Sequence, residues 1–253
     1  MAIQVVTIDF WNTLFTTANG EQREQHRLAV IRSHAERLGA RVSDDILRAA
    51  QAATWQEFKR IWKREHRTPT TEELVRFFFR TLKLEPDATA VEEVAHELAY
   101  GILEHPPALL PGAASVLEHL VRQGFQLAVI SDTAFSPGAV LRKVMEQAGI
   151  AEFFAAYSFS DQTGVSKPHP EAYLYALRQL NASPQAAVHI GDIERTDVAG
   201  AKALGMYAVL FRGDHNAVLE EEYVEQSQAD HVVFHWDEVP PVVERIHKQG
   251  SQR

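Results

Sequence analysis

The sequence predicts an α/β fold in which a parallel sheet carries helices on both faces and a helical insertion follows the first strand. Beyond residue 111, short β-branched runs alternate with helical patterns of about 10–12 residues, as is typical of such a sheet. The preceding stretch of about ninety residues carries only helical signals. A lone N-terminal strand needs a sheet to join, so one interrupted core is favoured over two independent domains.

The composition limits the classes of function that the chain can have. Its 253 residues fit one large domain or one core with an insertion. With 34 acidic and 25 basic residues the formal net charge is −9, which argues against a nucleic-acid partner, because such binding depends on clustered Lys and Arg. The absence of cysteine excludes disulfides, thiolate catalysis and Cys-ligated metals. No apolar run predicts a membrane span and no signal peptide is visible, so the expected location is the cytoplasm.

The first strand and the helices of the insertion follow in chain order. Residues 3–8 form an apolar run that predicts a buried strand ending at Asp9. Four helices come next. The first is predicted over 21–38, the second after an N-cap at Ser43, the third after a capping box of Thr70 and Glu73, and the fourth over 91–103. Prolines at 106, 107 and 111 then end the insertion.

Apolar and aromatic side chains of the insertion are expected to form its core, because they recur at helical spacing. On the second helix the inward-facing set is Ile46, Leu47, Ala50, Trp55, Phe58, Ile61 and Trp62. The aromatic cluster of Trp55, Phe58, Trp62 and residues 77–79 is accordingly interpreted as packing and not as a ligand site. The acidic run at 220–222 predicts a solvated surface.

The remaining elements alternate between helix and strand. Helices are predicted over 112–123, 137–148, 170–180 and 195–204 and at the C-terminus. Strands are predicted over 126–130, 154–159, 187–190, 206–211 and 231–234. Residues 1–14 and 106–253 are therefore expected to form the core domain, and residues 15–105 a separate helical domain.

Three predicted strands end in acidic residues, which are Asp9, Asp132 after Ser131, and Asp192 after Gly191. Ligands of open parallel sheets bind at the carboxyl ends of the strands, so these residues are expected to meet in one crevice. Carboxylates brought together repel one another unless a cation neutralises them. Hard oxygen donors without any cysteine favour Mg²⁺ as that cation.

Four segments in this order resemble the motifs of the haloacid dehalogenase-like (HAD) hydrolase superfamily. They are Asp9-Phe10-Trp11-Asn12-Thr13-Leu14, Ser131-Asp132-Thr133, Lys167-Pro168 and Gly191-Asp192-Ile193-Glu194-Arg195-Thr196-Asp197. The resemblance extends over nearly the whole chain. The resemblance implies a Rossmann-like core with an all-helical cap inserted between the first and second motifs, and a Mg²⁺-dependent phosphatase of a small phosphorylated metabolite.

The resemblance also implies a role for each motif residue. Asp9 would be the nucleophile that forms an aspartyl-phosphate, and Lys167 would pair with Asp9 and the phosphate. The expected phosphate-binding residues are Ser131, Asp132, Thr133 and Asn12. The expected Mg²⁺ ligands are Asp9, the main-chain carbonyl of Trp11, and Asp192, with Asp197 orienting the water molecules of the metal.

The first motif departs from the family pattern at Trp11. Phosphatases of the superfamily carry there a second aspartate, which protonates the leaving group and later activates water. An indole donates hydrogen bonds but has no acid–base chemistry near neutrality, and losing a general acid–base typically costs about 10²–10⁴ in rate. The resemblance therefore implies a slow phosphatase that prefers good leaving groups such as aryl or acyl phosphates, unless the cap supplies another acid.

Other hypotheses stay open at this point. Haloacid dehalogenases and phosphonate hydrolases of the superfamily also lack that aspartate. Asp192 and Asp197 would be needless charge in a metal-free dehalogenase, and a phosphonate hydrolase requires a cap lysine, for which Lys59 and Lys63 are available. The remaining hypothesis is a catalytically silent binding protein that kept the fold.

Overall fold

The computed structural model describes residues 2–214 and 225–251, so the predicted acidic surface at 220–222 lies outside the described residues. These ranges contain a six-stranded parallel sheet in the order β3-β2-β1-β4-β5-β6. Its strands are β1 (Val5–Ile8), β2 (Gln126–Ser131), β3 (Phe154–Phe159), β4 (Ala187–Gly191), β5 (Tyr207–Phe211) and β6 (His231–Val233). The predicted α/β fold class is thereby confirmed.

The helices fall into two groups along the chain. Between β1 and β2 lie α1 (Gly20–Arg37), α2 (Asp44–Glu65), α3 (Thr71–Thr81), α4 (Ala88–Glu104) and α5 (Ala113–Arg122). The later helices are α6 (Gly138–Gln147), α7 (Ser160–Thr163), α8 (Pro170–Gln179), α9 (Ala199–Ala203) and α10 (Val239–Ser251). Among the described residues, no helix has the length and apolar character needed to cross a membrane.

The sheet has a packed layer on each face because side chains of a strand point alternately to opposite sides. Val6 and Ile8 of β1 pack in a cluster that includes Leu117 of α5 and Leu141 of α6. Val5 belongs to the opposite cluster, which contains Tyr173 of α8. This two-sided burial explains why the central strands read as nearly continuous apolar runs.

Helices α1 to α4 share an apolar cluster of their own. Phe135, in the segment after β2, also belongs to it. Phe78 and Phe79 are buried in it, as predicted, and the capping box at the start of α3 is present in both directions. The prediction for Ile46 is wrong: its side chain is 54% exposed, because it lies next to Leu47, which takes the inward position. The division into domains at residues 14/15 and 105/106 stays a prediction.

The helix predicted over 195–204 begins differently from expectation. A π-helical turn, Glu194–Val198, precedes the short α9. The main-chain N–H groups of Asp197 and Val198 both donate to the Ile193 carbonyl oxygen, at 2.8 and 3.4 Å. The Asp197 carboxylate accepts from the Ile193 N–H, at 2.9 Å. This turn aims the Asp197 side chain at the carboxyl ends of the strands, and such turns are frequent at functional sites.

Candidate active site

The carboxyl ends of three adjacent strands bring the predicted acidic residues together. Strand β1 lies between β2 and β4, so Asp9, Asp132 and Asp192 follow neighbouring strands at one edge of the sheet. All three line a cavity of about 440 Å³ between this edge and helices α1 and α2. The described residues that line it also include Trp11, Asn12, Arg23, Arg27, Trp55, Phe58, Lys59, Trp62, Ile102, Phe135, Lys167 and Asp197.

Lys167 is the charged centre of this edge. The residue is 2% exposed, and its ammonium donates to Asp9 Oδ1 and, at 2.7 Å, to Asp197 Oδ1. Burial by itself lowers the pKa of Lys167, but the neighbouring carboxylates of Asp197 and Asp9 more than offset that effect and hold the pKa well above its usual value. The Lys167 side chain is therefore a fixed cation beside Asp9.

Asp197 is held in place from several sides. Besides Lys167, its carboxylate accepts from His189 Nε2 at 2.9 Å and from the Thr196 hydroxyl at 3.2 Å. Burial by itself raises the pKa of Asp197, but Lys167 and His189 hold it below its usual value, so the carboxylate is ionised. From the sequence, Asp197 is expected to orient the water molecules of a metal. In the structure, its carboxylate holds the Lys167 ammonium in position.

His189 links this group back to the first strand. Its Nδ1 lies 2.9 Å from the Thr7 hydroxyl oxygen, and Thr7 is its register partner across the β1–β4 pair. Burial lowers the pKa of His189 despite the adjacent Asp197. Because Asp197 accepts at Nε2, the neutral imidazole carries its proton there and accepts from Thr7 at Nδ1. Thr7, His189 and Asp197 thus form a buried chain that ends at Lys167.

The close approach of Asp197 to β4 explains the glycine before Asp192. A Cβ atom on Gly191 would lie 2.3 Å from Asp197 Cγ, far inside contact distance. Only glycine leaves room for the carboxylate at this point.

Asp9 and Asp192 form a pair of neighbouring carboxylates. Burial raises the pKa of Asp9 to about 7, with Lys167 opposing the shift. Burial and the charge of Asp9 raise the pKa of Asp192 well above its usual value. Asn12, whose φ of 57° turns the chain after β1, donates from Nδ2 to Asp192 Oδ2 at 3.1 Å. Burial therefore disfavours the charged form of both carboxylates, and a bound divalent cation would offset that cost.

Two of the expected phosphate-binding residues, Ser131 and Thr133, bond to protein groups in this structure. Ser131 and Thr133 are buried but are not among the described residues that line the cavity. The Thr133 N–H donates to the Ser160 hydroxyl at 2.8 Å, so that amide already has an acceptor. The Ser131 hydroxyl donates to the Asp132 carbonyl oxygen at 3.3 Å. Ser160, at the start of α7, thus accepts the Thr133 bond that the sequence analysis expects a phosphoryl oxygen to accept, and the phosphate-binding role of these residues stays a prediction.

The Asp132 carboxylate joins the sheet edge to the helical insertion. Its Oδ1 accepts from the Lys167 N–H at 3.0 Å, and its Oδ2 accepts from the Trp62 indole N–H at 2.7 Å. Burial raises the pKa of Asp132, while Lys167 and the Trp62 bond oppose the shift. The Trp62 ring also stacks under the Arg195 guanidinium, at 4.4 Å. Trp62 thus links helix α2 to Asp132 and Arg195.

An aromatic wall closes the side of the cavity that faces the insertion. We define this wall as Trp55, Phe58, Trp62 and Phe135. Trp55 contacts Phe58 and Phe135 edge to face, each with ring centroids 5.4 Å apart. Trp55, Phe58 and Trp62, which the sequence analysis interprets as core, all line the cavity, and Trp55 and Phe58 also pack against the apolar cluster of α1 to α4.

Comparison with known proteins identifies the family. A family model described as haloacid dehalogenase-like hydrolase matches residues 3–205. This chain belongs to that family of hydrolases. The order of the four motifs along the chain agrees with the assignment.

The curated relatives of this HAD-like hydrolase include phosphatases. Glyceraldehyde 3-phosphate phosphatase of Pyrococcus furiosus is 34% identical over 144 residues, which are 57% of either chain. Haloacid dehalogenase-like hydrolase domain-containing protein 3 of Homo sapiens is 33% identical over 129 residues, 50% of this chain and 49% of that one. The chain therefore spans about half the length of the curated relatives that it matches.

Solved structures with the same fold cover the HAD-like hydrolase almost completely. A 2-haloacid dehalogenase from Pseudomonas syringae pv. Tomato DC3000 has a TM-score of 0.68 at 24% identity and covers 96% of this chain and 99% of its own. The magnesium-bound putative HAD-hydrolase YfnB from Bacillus subtilis has a TM-score of 0.63 at 18% identity, covering 96% and 99%. At these identities the likeness shows the fold alone.

Proposed function

We propose that this HAD-like hydrolase is a phosphomonoesterase that acts through an aspartyl-phosphate on Asp9. The observation that carries the proposal is the contact of a buried, permanently charged Lys167 with Asp9 at the edge of the sheet where Asp192 also lies. Phosphatase relatives support the reaction class. The helices between β1 and α5 would act as the cap over this site.

The reaction would proceed in two displacements at phosphorus. An oxygen of the Asp9 carboxylate attacks the phosphorus atom, and the bond from phosphorus to the ester oxygen breaks. The leaving group departs with that electron pair and takes a proton from water. A second water molecule then attacks the phosphorus of the aspartyl-phosphate, which releases inorganic phosphate and restores Asp9. The attacking water loses a proton to the hydroxide left by the first step, so the sum is one ester and one water converted to one alcohol or phenol and one phosphate.

Lys167 would supply positive charge where the reaction needs it. Its ammonium already contacts Asp9, so it lies within reach of a phosphoryl group bound to that residue. Asp197 fixes the ammonium in one position, which avoids reorganisation during the reaction.

The donor set of the site fits Mg²⁺. Asp9 and Asp192 supply two carboxylates whose mutual repulsion a cation offsets, and the main-chain carbonyl of Trp11 would add a third oxygen. Within residues 2–214 and 225–251 no group of three or more acidic or histidine side chains is arranged around a metal position. When bound, Mg²⁺ screens the charges of nucleophile and phosphate from each other. A magnesium-bound structure in the same fold supports this choice.

Trp11 would set the rate and the preferred leaving group. Its ring lines the cavity and packs edge to face on Phe10, with centroids 5.0 Å apart. No acid at that position can protonate a departing oxygen. We therefore expect aryl and acyl phosphates to be hydrolysed much faster than alkyl phosphates.

The experiment that tests the proposal measures phosphate release from phenyl phosphate with Mg²⁺ or with a chelator. We expect Mg²⁺-dependent turnover that Asp9→Asn abolishes, whereas Asp45→Asn, at an exposed position of α2, retains it. Equal activity of the Asp9→Asn protein, or no turnover on a broad panel of aryl and acyl phosphates, would overturn the proposal.

A further inference from the structure

Arg27 lies in the cavity in an unusual environment for an arginine. Its guanidinium carbon is 5.9 Å from the Trp55 ring centroid and 5.2 Å from that of Phe135. Its Nε is buried and has no hydrogen-bond partner among the described residues. Leaving a buried charged donor without an acceptor is costly, so the arrangement calls for an acceptor that the protein itself does not provide.

The neighbouring Arg23 shows what a structural arginine looks like in the same helix. It also lines the cavity, but its guanidinium donates to the main-chain oxygens of Ala18 at 2.7 Å and His105 at 2.9 Å. Those bonds tie the start of α1 to the end of α4. Arg27, one turn further on, has the same side chain in the same cavity without such bonds, which distinguishes a ligand-binding role from a structural one.

The walls next to Arg27 are aromatic. Trp55 and Phe135 contact its guanidinium, and Phe58 and Ile102 line the same cavity together with a few polar residues such as Thr17 and Ser136. A cavity of about 440 Å³ is of the size that holds a small organic ligand. Such walls leave the hydroxyl groups of a sugar without hydrogen-bond partners, whereas they pack well on an aromatic ring.

The reaction at Asp9 also favours an aryl leaving group, and at this point the inference rests on the proposed function. Without an acid at Trp11, the departing oxygen needs a low pKa. A phenol, with a pKa near 10, meets this need far better than an aliphatic alcohol. The chemistry at Asp9 and the aromatic rings next to Arg27 therefore both favour an aryl phosphate.

We propose that the substrate of this cavity is an aryl phosphate that carries a carboxylate, with the ring against the aromatic wall and the carboxylate paired with Arg27. A carboxylate offers two oxygens to the planar guanidinium fork, and the surrounding rings exclude water from the pair. Arg23 and Glu24 are the charged groups that act on Arg27, and Lys59 adds a further cation to the lining of the cavity.

Binding of the expected products tests the inference without any turnover. We would measure, by calorimetry in metal-free buffer, the affinity of the full-length protein for 3- and 4-hydroxybenzoate and for the corresponding hydroxybenzamides. At least one hydroxybenzoate should bind about tenfold or more tightly than its amide, because only the acid forms the charge-assisted pair. Arg27→Met should remove that preference, Arg27→Lys should restore part of it, and Arg48→Met, at an exposed position of α2, should leave it intact.

The amide comparison in the unaltered protein keeps the test decisive even where the Arg27→Met protein fails to fold. Equal binding of acid and amide, or no binding of either at millimolar concentration, would overturn the inference. In parallel, carboxyphenyl phosphate and carbamoylphenyl phosphate are compared as substrates with Mg²⁺. Here the inference predicts a lower KM for the acid, since the pair forms far from the reacting bond.

The two proposals can fail separately. Acid-selective binding through Arg27 without hydrolysis of any phosphate ester would retain the ligand class and overturn the phosphatase. Hydrolysis of aryl phosphates without a preference for the carboxylate would retain the phosphatase and overturn the role of Arg27.

Discussion

Lys167 donates to Asp197 Oδ1 at 2.7 Å, in a contact that is nearly inaccessible to solvent on both sides. The same ammonium donates to Asp9, so Asp197 determines where the positive charge lies relative to the proposed nucleophile. Removing one partner of a buried pair leaves the other without compensation, which is the more costly outcome.

We predict that Asp197→Asn lowers both stability and activity. The amide keeps the shape but not the charge, so the free energy of unfolding should fall by about 2–4 kcal/mol. The rate constant kcat on phenyl phosphate should drop by about 10²-fold, because a displaced ammonium no longer matches the phosphoryl group. Thermal unfolding and steady-state kinetics measure the two effects. An Asp197→Asn protein with unchanged kcat would show that Lys167 does not need this partner.

Gly191→Ala should disturb the same carboxylate from the other side. The added methyl would meet Asp197 Cγ at 2.3 Å, so one of the two must shift, at a cost of about 1–3 kcal/mol. Unfolding should occur several degrees lower, and Mg²⁺-dependent turnover should fall with it. The matched control is Gly20→Ala at the start of α1, where the nearest atom lies 3.8 Å away. Equal behaviour of the two variants would contradict the close approach.

Much of this fold could be predicted from the sequence because the signals are local. The capping box of Thr70 and Glu73 needs only four consecutive residues, and it is present as predicted. The acidic residues after the strands were predicted to share an edge because parallel topology brings carboxyl ends together. The order of the four motifs indicated the family for the same reason, since each motif is a short local pattern.

The parts that could not be predicted depend on how distant segments pack. Ile46 and Leu47 fit the helical pattern almost equally well, and only the packing of α2 exposes one and buries the other. Arg27 carries no local signal, since its importance arises from the position of α1 over the sheet edge. His189 reads as an interruption of an apolar strand, but its register with Thr7 and its contact with Asp197 require the tertiary structure.

The Trp62 indole should matter for stability through one hydrogen bond. Trp62→Phe keeps an aromatic ring beside Arg195 but removes the indole N–H, which donates to Asp132 Oδ2 at 2.7 Å. We expect a loss of about 1–3 kcal/mol in the free energy of unfolding, measured with denaturant. Trp55→Phe shortens another indole of α2, whose ring contacts Phe58, Phe135 and the Arg27 guanidinium without a bond to Asp132, and it should cost less. The reverse order of the two variants would argue against the bond.

Mg²⁺ should stabilise the protein through Asp192. At a concentration about a hundredfold above its Kd, the ion should raise the unfolding midpoint by about 5–10 °C. Asp192→Asn removes both a ligand and a repulsive charge beside Asp9. That variant should unfold at a higher temperature than the unaltered protein without metal, and should lose the response to Mg²⁺. A full response to Mg²⁺ in the Asp192→Asn protein would place the metal elsewhere.

The most direct test of the account is the dependence of kcat/KM on the pKa of the leaving group. It is measured over a series of aryl and alkyl phosphates for the unaltered protein and for Trp11→Asp, with Mg²⁺ present. A catalyst without a general acid should lose rate steeply as the leaving group becomes more basic. Restoring the acid should flatten that dependence and raise alkyl phosphate turnover by about 10²–10⁴-fold. A shallow dependence in the unaltered protein, or alkyl phosphate rates that Trp11→Asp leaves unchanged while the fold and Mg²⁺ affinity are retained, would contradict the account.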